Sequence, residues 1–486
     1  MSTLELDSPF GETLANRFPG LRAAVDPDGM AEVLQRALVG DDRAYLIEAC
    51  TPGKAYAEFD ECLIRYSLRL RHTATGRKRA AVVTGRLFMS SDASTAFFRE
   101  RLEPLGRAEG RDEVASFRRP IACLDSISAV VYAFPIDPDL PSLIEATDPA
   151  LMTPVLGRLA AAILAPDLDV RDCEIAVAHY PRRHRCVIRY TVRGRRRDRE
   201  SSLVVFGKAT NSAEPSVDPR VVDDLRRDMG GVPPYVRIPR FVGGVPDYGI
   251  VLIEGIPGRP VIAPLLKERT GDPGRYGDSL NRTVGTAGVV AARLHGCSVR
   301  PNLSRPLELE IGGLRDELRF LERLDSLLAA RLSRRLSRIV DSAAGTDRLV
   351  FSHGDFTPSQ ILFDESHVGL IDFDNLCEAE LEMDLGQFCA YLGAAVAKTE
   401  SAGNGDLGAE LRQRFLGSYA KATHAPLSSE LKFRVGTYER LSLVRMAVRA
   451  WRQLKPARAS VALRALDHFE LSAGIVDRQL DQRRFL

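Results

Sequence analysis

The sequence predicts an α+β chain: two small antiparallel sheet units in succession, then a helical lobe. Three observations lead there. A strand-rich pattern occurs twice in the first half of the chain, apolar residues recur at three-to-four spacing beyond about residue 260, and one short hairpin interrupts the helical part. A chain of 486 residues has room for roughly two to four domains with sizeable cores. Its 45% hydrophobic and 27% charged content is that of an ordinary soluble globular protein.

The repeat justifies the sheet units. "ECLIRYSLRLRHTATGRKRAAVVTGRLF" (61–88) aligns with "RCVIRYTVRGRRRDRESSLVVFGKAT" (185–210). Cys62-Leu-Ile-Arg-Tyr66 matches Cys186-Val-Ile-Arg-Tyr190, and Val82-Val-Thr-Gly-Arg86 matches Val204-Val-Phe-Gly-Lys208. The small difference in spacing falls in the polar turn between the strands. Further on, "AVVYAFPIDPDLPSL" (129–143) parallels "GIVLIEGIPGRPVIAPL" (249–265). Each copy is expected to be a sheet with one helix, at 92–103 in the first and roughly 218–229 in the second. Any two amphipathic hairpins share some likeness, but the same order of strand, turn, strand, helix and strand twice over favours a duplication.

Composition narrows the partners. A net charge of +2 gives no general case for nucleic acid. "PRRHRCVIRYTVRGRRRDR" (181–199) is locally basic, yet it is poor in aromatics for base stacking, and Ile188, Tyr190 and Val192 alternate as in a strand. Only eight of the 67 basic residues are lysine, so the arginine richness is compositional. No uncharged apolar run approaches the ~18 residues that span a bilayer. The start, "MSTLELDSPFGETL", lacks the basic and apolar regions of a secretory signal. The eight cysteines are scattered, with no Cys-x-x-Cys pair. The expectation is a cytoplasmic protein with reduced thiols and neither nucleic acid nor membrane as partner.

The helical lobe follows from "LNRTVGTAGVVAARLHG" (280–296), "GLRDELRFLERLDSLLAARLSRRLSRIVDS" (313–342) and "ELKFRVGTYERLSLVRMAVRAWRQL" (430–454), which carry helical spacing. Among them lies "LVFSHGDFTPSQILFDESHVGLIDFDNL" (349–376). Its residues 361–363 and 368–371 read as two short strands around the turn-forming Asp364-Glu365-Ser366-His367. Paired strands run about 5 Å apart. Gln360, just before the first, therefore meets Asp372, just after the second, with Asp355 on the loop leading in. Two carboxylates and an amide oxygen in one loop suit a hard cation.

"HGDFTPSQ" followed by "GLIDFDN" resembles the catalytic and metal-binding motifs of the aminoglycoside phosphotransferase and choline kinase family, small-molecule relatives of the protein kinases. The family pattern is His-Gly-Asp, four variable residues, Asn, then an apolar strand ending in Ile-Asp. "ARLHG" (292–296) and "LEMDLGQF" (381–388) look like further landmarks, and the likeness covers roughly residues 170–480. The resemblance implies a bilobal protein-kinase-like fold preceded by a duplicated small N-lobe-like domain. Its divisions would be 1–150 (a non-catalytic cap), 151–258 (the N-lobe) and 259–486 (the helical catalytic C-lobe). It further implies ATP and Mg2+ as cofactors and the hydroxyl of a small molecule as phosphate acceptor.

Phosphoryl transfer depends on positioning and cationic stabilisation more than on covalent help. By the resemblance, Asp355 would take the acceptor's proton and orient its oxygen, while Asp372 and Gln360 would bind Mg2+. Lys208, ending "LVVFGK", would neutralise the nucleotide's α- and β-phosphates. Glu254, in "GIVLIEG", is placed with the nucleotide contacts. Arg182, Arg183 and Arg185 stand where the family has a glycine-rich loop; they either hold phosphates by charge or only solvate a turn.

This chain departs from the pattern at two places. Gln360 replaces the usual Asn, its extra methylene carrying the amide outward by about 1.5 Å. Maltokinase-like members share that Gln, which points the acceptor towards a sugar or similar polyol. The glycine-rich loop is missing. In the first copy Arg86 takes the place of Lys208 and no His-Gly-Asp lobe follows, hence its non-catalytic assignment. His353 is expected to brace the loop, Asp384 to cap a helix, Asp374 to lie near the metal or in solvent, and Asp223 or Asp224 to pair with Lys208 or face solvent. The acidic run "NLCEAELEMD" (375–384) either attracts a cationic amine or is solvated. Two further functions stay open: a kinase for Ser or Thr of a peptide, with the extra N-terminal copy supplying surface, and a pseudokinase scaffold.

Overall fold

The repeated apolar alternation forms two five-stranded antiparallel sheets in this computed structural model. Residues 9–472 are described, apart from 41–43, 109–113, 183, 211–216, 232–234, 270–271, 344, 347, 366 and 400–406; Arg183 and Ser366 thus lie outside the described residues. The chain divides into two units. One takes Met1–Pro215, Arg240–Gly255 and Trp451–Pro456; the other takes Ser216–Pro239, Ile256–Ala450 and Ala457–Leu486.

Both sheets belong to the first unit. The first contains β1 (Tyr45–Ala57), β2 (Glu61–His72), β3 (Lys78–Phe88), β4 (Ile121–Leu124) and β5 (Ala129–Ala133), in the order β1-β2-β3-β5-β4. The second contains β6 (Asp169–Arg182), β7 (Arg185–Arg196) and β8 (Arg199–Thr210). After a short strand of the other unit, β9 (Val236–Arg237), come β10 (Phe241–Val245) and β11 (Ile250–Glu254), giving the same order, β6-β7-β8-β11-β10.

Short helices accompany the sheets: α1 (Pro9–Arg17), α2 (Leu21–Val25), α3 (Pro27–Leu34), α4 (Ser91–Phe97), α5 (Leu143–Ala146), α6 (Pro149–Leu156) and α7 (Ala162–Leu164). The parallel between copies extends to them. Asp26 caps α3 through the N–H groups of Asp28 and Gly29, and Asp148 caps α6 through that of Ala150; a proline follows each cap. Both helices then run into a π turn, Gln35–Val39 and Gly157–Ala161. These leading helices are too short to show a helical period in the sequence, and α6 contains Pro154.

Tyrosine ties helix to sheet in each copy. The Tyr66 hydroxyl donates to the Ala24 carbonyl and the Tyr190 hydroxyl to the Ala146 carbonyl, both at 2.8 Å. Each ring covers a glycine of the neighbouring strand. A Cβ on Gly85 would lie 2.9 Å from the Tyr66 ring, and one on Gly207 would lie 2.7 Å from the Tyr190 ring. The core of the second sheet is completed by Cys186, Ile188, Val192, Val205, Ala209, Ile250 and Leu252.

The copies differ at the residue after that glycine. Arg86 is fully buried, 3.5 Å from Glu61, paired with Asp139, and 4.5 Å over the Phe97 ring. Lys208 is only half-buried and lies opposite Val187 and Val251 in the sheet register. The copies meet at Tyr180 of β6, which hydrogen-bonds Asp137, lies 3.1 Å beneath the Arg65 guanidinium and packs edge-on against Phe134 at 5.6 Å. Of the expected helices, 92–103 appears as α4 and a π turn, Phe98–Leu102. The other, α8 (Pro219–Gly230), groups with the second unit.

The second unit is the helical one: α9 (Ile262–Arg269), α10 (Pro273–His295), α11 (Leu307–Glu322), α12 (Ser326–Ser342), α13 (Leu381–Val396), α14 (Leu407–Ala422), α15 (Ser429–Arg452) and α16 (Pro456–Ser472). The stretch 313–342 is helical as its spacing predicts and spans two helices, because Asp325 accepts the Leu328 N–H and starts α12 afresh. β12 (Val350–Ser352) pairs with β15 (Cys377–Ala379). The expected hairpin is β13 (Ile361–Phe363) with β14 (Val368–Leu370), flanked by β9 in parallel. Phe356, Phe388 and Phe415 form the centre of its core, the last two stacked at 4.1 Å. None of the eight cysteines is in a disulfide, and no described helix is long and apolar enough to cross a membrane.

The glycine–tyrosine contact predicts that Gly207→Ala costs about 1–3 kcal/mol through overpacking. Tyr190→Phe should cost about 1 kcal/mol through the lost hydrogen bond. Denaturant titration checks both, and a Gly207→Ala protein as stable as wild type would refute the contact.

Candidate active site

The loop between β12 and β13 is fixed from below. Gly354 takes φ 75°, and a Cβ there would strike the Asn375 carbonyl, so the chain turns only because the residue is glycine. Its neighbours' N–H groups need acceptors, and Asp384 supplies them. One carboxylate oxygen accepts the His353 N–H at 2.7 Å and the other accepts the Gly354 N–H at 3.0 Å. Asp384 therefore does not cap its own helix, whose N-cap is Glu380; it anchors another loop. His295 Nε2 stands 3.4 Å away, and its Nδ1 is 3.0 Å from the Tyr419 hydroxyl. Burial works to raise the Asp384 carboxyl, but the hydrogen bond and charge of His295, with help from His353, hold it below its ordinary value.

His353 is fully buried and braces two motifs at once. Its Nδ1 accepts the Asp355 N–H at 3.3 Å and its Nε2–H donates to the Ile371 carbonyl at 3.0 Å. Both ring nitrogens are thus engaged in holding the loop, which gives His353 a bracing role.

The structure brings Asp355, Gln360 and Asp372 together. Ile361 pairs with Leu370, and the Ile371 N–H donates to the Gln360 carbonyl at 3.1 Å, so the open end of the hairpin falls where the register demands. Asp372 follows at φ 70°, ψ 59°, a left-handed conformation uncommon for a non-glycine residue. The Gln360 Nε2 donates to Asp372 Oδ2 at 3.4 Å, and the same side chain hydrogen-bonds Asp355.

A further residue completes the set. Gln387 of α13 donates its Nε2 to Asp355 Oδ1 at 2.9 Å. It went unread in the sequence, although it stands three residues after Asp384 in "LEMDLGQF" and so shares its helix face. Burial raises the Asp355 carboxyl above its ordinary value and the Asp372 charge adds to this, while His353, Arg449 and the Gln360 hydrogen bond pull the other way.

This donor set fits a divalent hard cation. Asp355 and Asp372 repel each other across a shared amide, and a cation would relieve that repulsion. Turning the Gln360 amide about its last bond would present oxygen in place of nitrogen. Among the described residues no cluster of three or more His, Cys, Asp or Glu side chains offers an alternative metal site.

The other anticipated residues lie in the first unit, on the second sheet. Arg182 faces Arg185 across the β6–β7 turn, Lys208 lies within β8, and Glu254 ends β11, where it accepts the Arg240 N–H at 3.0 Å. Asp223 and Asp224 belong to the second unit and pair with Arg226 and Arg227 along α8. Asp374 sits in the short 3-10 turn Phe373–Asn375.

Residues 224–425 match the family model described as APH, phosphotransferase enzyme family. That segment is similar to the phosphotransferase enzyme family. The match contains Asp355, Gln360, Asp372, Asp384 and Gln387, and leaves out the whole first sheet and β6 to β8.

Among curated proteins none matches the chain. Solved structures similar to it include a choline kinase from Cryptosporidium parvum Iowa II, at 13% identity and TM-score 0.45, covering 67% of this chain and 97% of the other. A glucosamine kinase gives 18% and 0.45, with coverage of 68% and 86%. The macrolide 2'-phosphotransferase MphH from Brachybacterium faecium gives 13% and 0.39, with coverage of 66% and 98%. Likenesses this remote do not bear on the substrate.

Asp384→Asn turns one acceptor into a donor facing a backbone N–H, and should cost about 2–3 kcal/mol of stability. Because the folded carboxyl lies below its unfolded value of about 3.9, its contribution is present above that value and is lost as pH falls through the folded one. Denaturant titrations should therefore show wild type and variant converging in acid.

Proposed function

We propose that this chain transfers the terminal phosphoryl group of ATP to a hydroxyl of a small molecule. The reading rests on one observation: the Asp355 carboxylate is held by Gln387 and Gln360, beside Asp372, on a loop anchored by Asp384 and His353. Asp355 accepts the acceptor's proton and aims its oxygen at the phosphorus. A carboxyl raised by burial is a better base near neutral pH than an exposed one. Asp372 and Gln360 hold Mg2+, which when bound neutralises the phosphate charge. Lys208, Arg182, Arg183, Arg185 and Glu254 are the proposed nucleotide contacts. Gln360 in place of Asn favours a sugar or polyol acceptor.

In this reading residues 151–258 and 259–486 form the two kinase-like lobes and 1–150 is a non-catalytic cap. The sealed ion pairs of Arg86 leave the first copy no cation corresponding to Lys208. A catalytic loop held by so many hydrogen bonds is more than a pseudokinase scaffold requires.

Asp355→Asn should lower kcat by about 10²–10⁴-fold with little change in Mg·ATP affinity, read by ADP release in the presence of an accepted hydroxyl compound. A wild-type rate in that variant would end the assignment. The acid limb of kcat/KM should report a carboxyl above about 3.9. Gln387→Leu should move that limb higher still, since donation by the amide favours the charged form.

A further inference from the structure

The charge of the acceptor can be approached through the charged side chains that already have partners. The acidic run 375–384 is committed internally. Glu378 pairs with Arg300 at 2.7 Å, Glu380 accepts the Thr346 N–H at 3.2 Å, Glu382 pairs with Arg434 at 2.7 Å, and Asp384 holds the loop backbone. Asp374 is engaged as well. Glu310 is matched by Arg305 and Arg445, and Glu439 by Arg412 at 2.8 Å. Glu378, Glu380, Glu382, Asp384, Glu310 and Glu439 each already have a cation or an N–H, so an acceptor amine would have to displace a partner.

Arg449 is the contrast. It is half-buried on α15 and makes no hydrogen bond or ion pair with any described residue. Two chains of contacts bring α15 onto the catalytic loop. Gly386 of α13 abuts α15 so closely that a Cβ there would lie 2.6 Å from the Glu439 nitrogen, and the next residue, Gln387, holds Asp355. Arg445 donates to Glu310 at 3.0 Å, Glu310 accepts from Arg305 at 2.8 Å, and Arg305 donates to the Gly354 carbonyl at 3.3 Å. Arg449 follows Arg445 by four residues on the same helix face, about 6 Å along the axis. Its charge reaches the Asp355 carboxyl and favours the ionised form.

We propose that Arg449 binds an anionic group, a carboxylate or a phosphate, carried by the hydroxylated acceptor; this rests on the phosphotransferase reading above. An acceptor acid entering beside Asp355 and Asp372 meets two like charges, and a guanidinium without a hydrogen bond or ion pair among the described residues supplies the compensating cation. Its planar fork suits a carboxylate or phosphate in two-point contact. The acceptor class is then a polyol acid or a sugar phosphate, not an amine. The same chemistry could serve the terminal phosphate of the nucleotide, and the test separates the two.

The test uses the full chain with Mg·ADP, measuring thermal shifts with glucuronate, gluconate and glucose 6-phosphate beside glucose and glucosamine. At least one acid should raise Tm with an apparent Kd tenfold or more below that of its neutral and amine counterparts. Arg449→Met should abolish that preference, and Arg449→Lys should restore part of it. Glucose or glucosamine binding as well as the acids, no shift from any acid, or an unchanged preference in Arg449→Met overturns the proposal. So does an Arg449→Met protein whose main loss is affinity for a non-hydrolysable ATP analogue, since the anion is then the nucleotide's. No shift with Mg·ADP itself in wild type strikes instead at the phosphotransferase reading.

Discussion

One buried carboxylate sets the geometry on which the candidate site depends. Asp384 lies in the first turn of α13 with no exposure to solvent, a costly place for a charge unless it is fully hydrogen-bonded. Its two oxygens take the N–H groups of His353 and Gly354, so the backbone leading into Asp355 has one permitted position. The same helix contributes Gln387 one turn later, which orients the Asp355 carboxylate itself. Backbone and side chain of the candidate loop thus answer to a single helix face.

What the sequence revealed about this site was what is local in the chain. Gln360 and Asp372 stand only twelve positions apart, with the turn residues and strand residues between them all in view, and the register follows from them. The roles of Asp384 and Gln387 depend on which element their helix face meets about thirty residues away, and helical spacing names a face without naming its neighbour. Its place at a helix start therefore makes Asp384 read as a cap. Over 313–342 the spacing likewise announces helix without marking the break, which the Asp325 cap sets.

The two sheets show how one frame accommodates opposite electrostatic tasks. Strand order, capped leading helices, π turns and the covering tyrosine recur in both. At the aligned basic position, however, the first sheet encloses Arg86 among Glu61, Asp139 and Phe97, whereas the second leaves Lys208 half-exposed between two valines. Enclosing a guanidinium requires acids on several sides, and Glu61 of β2 with Asp139 of the segment after β5 provides them. Tyr180, held by Asp137 and Arg65, then fastens that segment to the strand leading into the β6–β7 turn.

The glycine beneath each tyrosine ring has an evolutionary corollary. At 85 and at 207 a methyl group would occupy space the ring already fills, so neither glycine can drift while its tyrosine stays. Descendants of either sheet should accept a side chain at the glycine only alongside a smaller residue at 66 or 190. Those pairs should therefore covary within a copy and be silent between copies, a signature that would mark each sheet in distant relatives after the surface residues around it have been replaced.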